Sequence, residues 1–289
     1  MNNCTYNIGD CCFQLHGDRL IAATQRIPGF EVFTDTSHQV PEFLIIESEE
    51  AQVESALQDL YQFESDRVAS TFSTCNGGYR LSMQHEDGSS LTLWSRTEER
   101  RVYLCGDFSA QLLRFALWMA YSLMTFNTYR IAIHSSCIVN QGKAFLFLGE
   151  SGTGKSTHTR LWGKYIAGSQ LLNDDSPILC VKGEEVWVYG SPWSGKTPCY
   201  KQECYPLGGC VRLSQAPFNR IKKLGVLQAF AAIHPSCPPD FAYSDELYDG
   251  ICRTLDKLIA HVPLYHLACL PDQEAATLSF NTLTHHENH

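Results

Sequence analysis

The stretch that most limits how this chain can fold is a short apolar run, Ala144 to Leu148, opening directly into Gly149-Glu150-Ser151-Gly152-Thr153-Gly154-Lys155-Ser156. The run fits a buried strand, the segment after it fits the spacing G-x-x-x-x-G-K-[ST], and an amphipathic helix is expected from Thr157 to Tyr165. Glycines at 149, 152 and 154 allow a tight loop whose N–H groups converge, and the dipole of a helix starting near Lys155 favours a phosphate chain there. Lys155 would bring a mobile positive charge toward the β- and γ-phosphates, and Ser156 a hydroxyl ligand for magnesium. The segment from Gly149 to Ser156, with Thr157 beside it, is therefore expected to bind ATP and Mg2+. A Gly/Ser-rich turn that merely contains a lysine is the plainer alternative, and the strand, loop and helix setting argues against it.

At 289 residues the chain holds one large domain or two, and 44% hydrophobic with 18% charged residues is the composition of a globular protein. A formal charge of −9 argues against general attraction to nucleic acid or anionic lipid. Thirteen cysteines raise the question of disulfides, but the N-terminus lacks the basic and apolar regions of a secretory signal. A cytoplasmic protein whose cysteines act as small apolar side chains is expected. The adjacent pair Cys11-Cys12 lacks a second close pair for a zinc site. The most apolar long stretch, Phe108 to Phe126, is interrupted by Gln111 and Arg114 and reads as a buried helix rather than a membrane span.

Residues 1–105 read as a strand-rich α+β domain, suited to recognising a substrate or partner. Short runs at Tyr6 to Leu15 and Phe43 to Glu47 precede an expected short helix at Ala51 to Tyr61. A meander follows at Ala69 to Leu81, Leu81 to His85, Ser90 to Trp94 and Glu99 to Leu104, with turns at Asn76-Gly77-Gly78 and Glu86-Asp87-Gly88. An apolar helix is expected to bridge residues 106–128, and residues 129–289 to form the phosphate-loop domain. In that domain Ile131 to Val139 reads as one strand. Later elements are expected at Gln170 to Leu172, Ser176 to Val181, Val186 to Val188, Cys210 to Leu213, Lys222 to Ile233 (helix), Glu246 to His261 (helix), Leu264 to Leu270 and Gln273 to Leu278 (helix). His285, His286 and His289 in the polar tail lack the fixed spacing of a metal site.

Two carboxylates, Asp174 and Asp175, fall at a strand end one helix beyond Lys155. One would hold or orient hydrated magnesium and the other would accept the proton of an attacking hydroxyl. Adjacent residues of an extended strand point in opposite directions, so a bend is required if both face one metal. A second loop, Gly190 to Pro198, offers Trp193 for stacking and Ser194 and Lys196 as polar contacts to substrate, although an ordinary loop around a buried tryptophan accounts for it nearly as well. Arg212, with Arg220, Lys222 and Lys223, is a further candidate for phosphate or an acidic acceptor, although a solvated basic patch accounts for these residues better. His134, on the strand before the phosphate loop, is a catalytic candidate or a structural histidine.

With His134, Gly149 to Thr157 and Asn173-Asp174-Asp175 in place, the segment from Tyr129 to Leu283 resembles the catalytic domain of the HPr kinase/phosphorylase family, akin in its nucleotide core to ATP-dependent phosphoenolpyruvate carboxykinases. The resemblance implies an α/β (or α+β) phosphate-loop domain with a mixed sheet, ATP and magnesium on Gly149 to Ser156, Asp174 as the base and Asp175 assisting the metal. His134 matches a histidine placed before the loop in that family. A serine hydroxyl in a protein or peptide is the acceptor it implies. Where bifunctional members carry a glycine-containing stretch with a glutamate and an arginine, this chain has Tyr189 to Lys196, so the resemblance does not extend to phosphorylase activity.

The leading expectation is thus an ATP-dependent serine kinase, with a homo-oligomer admitted. A nucleotide-dependent regulatory or binding protein without efficient turnover is the main alternative. A small-molecule kinase or phosphoenolpyruvate-type enzyme ranks behind both.

Overall fold

The computed structural model describes residues 2–195 and 197–284, with Ala51 described in its backbone alone. The expectations at Lys196 and at the three terminal histidines lie outside the described residues. The fold is mixed α/β, and the chain divides into two compact units, Met1–Thr128 with Asp240–Tyr248, and Tyr129–Pro239 with Asp249–His289.

The first unit is an eight-stranded mixed sheet with strand order β1-β2-β3-β8-β7-β6-β5-β4. It is built from β1 (Asn3–Ile8), β2 (Cys11–His16), helix α1 (Asp18–Thr24), β3 (Phe43–Glu47), β4 (Gln58–Ser65), β5 (Val68–Cys75), β6 (Gly78–His85), β7 (Ser90–Arg96) and β8 (Arg101–Gly106). Alternation sets the inner face: in β6, Tyr79, Leu81 and Met83 are buried while Arg80, Ser82 and Gln84 are not. Helix α2 (Ala110–Thr125) packs on β7 and β8. It falls within this unit. The helix expected at 51–61 is absent: a single 3-10 turn, Glu50–Gln52, gives way to β4. Leu60, Tyr61 and Phe63 suit a pleated surface, and pairing with β5 overrides the local apolar spacing.

The second unit holds β9 (Arg130–Ala132), β10 (Ser136–Asn140), β11 (Lys143–Leu148), α3 (Lys155–Tyr165), β12 (Gln170–Asn173), β13 (Ile178–Lys182), β14 (Glu185–Tyr189), β15 (Cys204–Gln215), β16 (Arg220–Lys223), α4 (Val226–Ile233), most of α5 (Asp245–His261), β17 (Leu264–Cys269) and α6 (Gln273–Thr284). The main strand order is β12-β10-β11-β15-β14-β13-β9, with β17 pairing β15 and β16 pairing β17. β15 runs parallel to both β11 and β17, so three strand ends open at the same edge. Phe145, Phe147, Val211, Leu213, Tyr265 and Leu267 form one core with Trp162 of α3 and with Ala276 and Leu283 of α6. Burial of each large side chain there contributes about 1.5–3 kcal/mol.

Two differences from the sequence expectation matter for the site. The single strand expected at 131–139 is broken, because the N–H groups of Ile133, His134 and Ser135 donate to Pro177, Ser236 and Asp175 instead of one ladder. The helix expected from Lys222 begins only at Val226, since Arg220 to Lys223 pair with β17. Among the described residues no helix is long and apolar enough to cross a membrane, and no disulfide forms.

Candidate functional site

The loop after β11 adopts backbone conformations that need glycine. Gly149, Gly152 and Gly154 have φ of 150°, 82° and 108°. A Cβ at Gly149 would meet the Thr153 hydroxyl at 2.5 Å, and that hydroxyl donates to the Glu150 carbonyl, closing the loop on itself. Helix α3 starts at Lys155, so its first turn presents N–H groups toward the loop. The Lys155 Nζ donates to the Gly149 carbonyl at 2.8 Å and the Glu150 carbonyl at 3.2 Å, and meets His134 Nε2 at 3.0 Å. Its three N–H bonds are therefore engaged within the site. Burial pushes its pKa down, against the nearby charges of Asp175 and Asp174.

The break between β9 and β10 delivers His134 to the acidic turn. His134 Nδ1 lies 3.1 Å from Asp175 Oδ1, while its Nε2 faces the lysine. An ammonium only donates, so Nε2 accepts and Nδ1 carries the hydrogen given to Asp175. A line of contacts therefore runs from Asp175 through His134 to Lys155. The bend required by adjacent aspartates is present: β12 ends at Asn173, whose Oδ1 accepts the Asp175 N–H at 2.9 Å. Asp174 turns inward, 7% exposed, and its Oδ1 accepts from Ser136 Oγ at 2.7 Å. Ser136 Oγ is also 2.9 Å from Thr159 Oγ1 of α3. Asp174 Oδ2 is buried without a hydrogen-bond partner. A buried carboxylate oxygen left so costs roughly 1–3 kcal/mol or more.

The second loop underpins this turn. Asn173 Nδ2 donates to the Ser191 and Trp193 carbonyls, the Ser176 N–H donates to Trp193, and a Cβ on Gly195 would lie 2.7 Å from the Asp174 carbonyl. Trp193 is 2% exposed, so its ring fills the interior instead of offering an open stacking surface. The Ser194 hydroxyl donates to the Thr197 carbonyl and accepts from the Cys199 N–H, both within its own loop. The Trp193 ring and the Ser194 hydroxyl, from two residues expected to contact substrate, are thus both buried within this loop. Arg212, on β15, donates through Nη1 to the Ala232 carbonyl at 3.1 Å, and its Nη2 lies 3.7 Å from Glu150 Oε1. Ser151 lies between Gly149 and Gly152, Ser156 is in the first turn of α3, and the Thr157 hydroxyl accepts from Arg160 Nη2 at 3.2 Å.

On the α3 side of the loop lies a cavity of about 670 Å³, lined by Gly152, Gly154, Thr157, Leu161, Leu213 and Leu270 among others. Gln215 also lines it and donates to the Gly152 carbonyl at 3.2 Å. Neither Ser136 nor Gln215 was legible as a site residue. Ser135-Ser136, two hydroxyls directly after His134 in an otherwise apolar run, was the available signal for the first.

The donor set suits magnesium, a hard cation that takes one or two carboxylates and phosphate oxygens. The Ser156 hydroxyl and the aspartate oxygens are such donors. Among the described residues no group of three or more His, Cys, Asp or Glu side chains could hold a metal ion, so a cation here would need oxygens from its ligand.

No family model matches this sequence, and no curated protein matches it. Among solved structures it is similar to the Hpr(Ser) kinase/phosphatase from Coxiella burnetii, at 13% identity and a TM-score of 0.29, over 53% of this chain and 92% of that one. A likeness that remote decides nothing about the chemistry, which rests on the residues of the site.

Proposed function

We propose that the chain transfers the terminal phosphoryl group of ATP to a hydroxyl, a serine in a protein or peptide being the preferred acceptor. The observation that carries this reading is the buried, unpartnered Asp174 Oδ2 beside a glycine loop whose lysine is tied to the same acidic turn through His134. The loop N–H groups and Lys155 bind and orient the phosphates. Asp174 Oδ2, its partner oxygen fixed by Ser136, takes the acceptor proton as the new O–P bond forms and the bond to the ADP oxygen breaks. Asp175 and Ser156 would hold magnesium, which when bound would neutralise charge on the phosphates. His134 keeps Asp175 and Lys155 in register. No covalent enzyme intermediate is needed, because placement and charge supply the rate.

The test is incubation with magnesium, ATP and a peptide pool, with phosphate located on acceptors by mass spectrometry. Lys155→Ala should abolish both nucleotide binding and transfer. Asp174→Asn should keep binding while transfer falls about 100-fold to 10,000-fold, the range for losing a positioned base. Undiminished transfer by Asp174→Asn would remove that aspartate from the mechanism. ATP binding with no phosphorylated acceptor would favour a nucleotide-dependent binding protein instead.

A further inference from the structure

β15 divides the loop's surroundings in two. Leu213 joins the core beneath α3 and lines the 670 Å³ cavity, whose size is that of a small-ligand site. Its neighbour Arg212 projects from the opposite face, as alternation along a strand requires. Arg212 pairs in register with Leu148, the last residue before the glycine loop, which puts it at the edge where the parallel strands end and where ligands of open α/β sheets bind. A nucleotide with its base in the cavity would lay its phosphates across the loop and end on the side of Lys155 and Arg212.

The guanidinium is held but not neutralised. Its Nη1 is fixed by the Ala232 carbonyl at 3.1 Å, whereas Nη2 is 3.7 Å from Glu150 Oε1, too long for a hydrogen bond. The Glu150 side chain is 84% exposed, so water screens the pair and it is held only weakly. Arg212 Nη2 and Lys155 Nζ reach the same residue, Glu150, the first 3.7 Å from its Oε1 and the second 3.2 Å from its carbonyl oxygen. Two cations brought to one loop residue favour an anion between them. A fork of parallel N–H donors matches phosphate oxygens better than an ammonium does.

We propose that Arg212 binds the terminal phosphate of a nucleoside triphosphate, and that Glu150 is the exchangeable partner which holds the guanidinium when that phosphate is absent. This rests on the phosphate-loop reading above. It makes Arg212 the residue that distinguishes triphosphate from diphosphate.

Titration calorimetry with magnesium-ATP and magnesium-ADP tests it on the full chain. The wild type should prefer ATP. Arg212→Ala should lose about tenfold or more of that preference, equivalent to about 1.4 kcal/mol, with ADP affinity unchanged. That unchanged affinity doubles as the check that the variant is folded. Arg212→Lys should recover part of the preference, and Glu150→Gln should raise ATP affinity by freeing the guanidinium. An unaltered ATP-to-ADP ratio in Arg212→Ala overturns the proposal. If that variant loses ADP binding as well, Arg212→Lys with the wild-type ratio, together with Glu150→Gln that binds ATP no more tightly, assigns Arg212 a purely structural tether and overturns it too. A wild type that binds neither nucleotide would bring down the phosphate-loop reading itself, which is a distinguishable failure.

Discussion

At Lys155 the site holds an ammonium whose donors are spent on Gly149, Glu150 and His134. An anion bound there, as proposed, would displace contacts rather than fill a gap. The same reasoning about buried charge applies at Asp240, 1% exposed, whose Oδ1 has no partner and whose pKa burial pushes up to about 6. The folded state prefers its protonated form, so the stability this leaves is present at low pH and lost as pH rises through about 6. Asp240→Asn should raise the urea midpoint at pH 8, by up to about 3 kcal/mol of stability, and change little at pH 4. An equal effect at both pH values would show that ionisation is not the cause. At this scale the glycines, Lys155 and the adjacency of Asp174 and Asp175 were readable from residue types. The inward turn of Trp193 was not, since a tryptophan in a polar loop looks the same whether it packs or stacks.

Among the elements, α3 and α6 are joined by a buried hydroxyl. Ser279 Oγ donates to the Ala276 carbonyl at 3.0 Å and accepts from Trp162 Nε1 at 2.9 Å, so His158 Nε2, also 2.9 Å away, is the second donor. Burial pushes the His158 pKa down to about 4. The sign is opposite to that of Asp240: the unprotonated ring is favoured by folding, and its stabilisation is complete above about 6.5 and lost as pH falls toward 4. The loss should reach about 3 kcal/mol, read as a falling urea midpoint between pH 7 and pH 4. His158→Gln, which keeps an N–H for Ser279, should flatten that slope. Ser279→Ala should cost about 1–3 kcal/mol by stranding two buried donors. The element β11, its loop and α3 were legible because strand, glycine and helix signals agreed. β4 and β16 were not, because both owe their form to a neighbouring strand.

For the whole molecule, the return of Asp240–Tyr248 to the first unit means that neither unit is a single run of chain. Tyr243 stacks on Tyr61 with centroids 4.2 Å apart, Phe241 meets Phe126 edge-on at 6.5 Å, and the Tyr79 hydroxyl donates to Glu246 at 3.0 Å. Expression of residues 129–289 alone should therefore leave Phe241 and Tyr243 without these partners. A lower melting temperature or aggregation by size exclusion is expected relative to the full chain. A monodisperse fragment that melts as cooperatively as the whole would contradict this. The glycine loop after β11 and the alternation of the meander follow from residue order alone, because glycine conformations and side-chain periodicity are local properties. Long-range packing is what brings His134 between Asp175 and Lys155 through a broken strand, leaves one oxygen of Asp174 unmatched beside Ser136, and adds a later segment to the first unit. Those outcomes depend on which distant backbone and side-chain groups satisfy one another, and spacing along a chain does not record that.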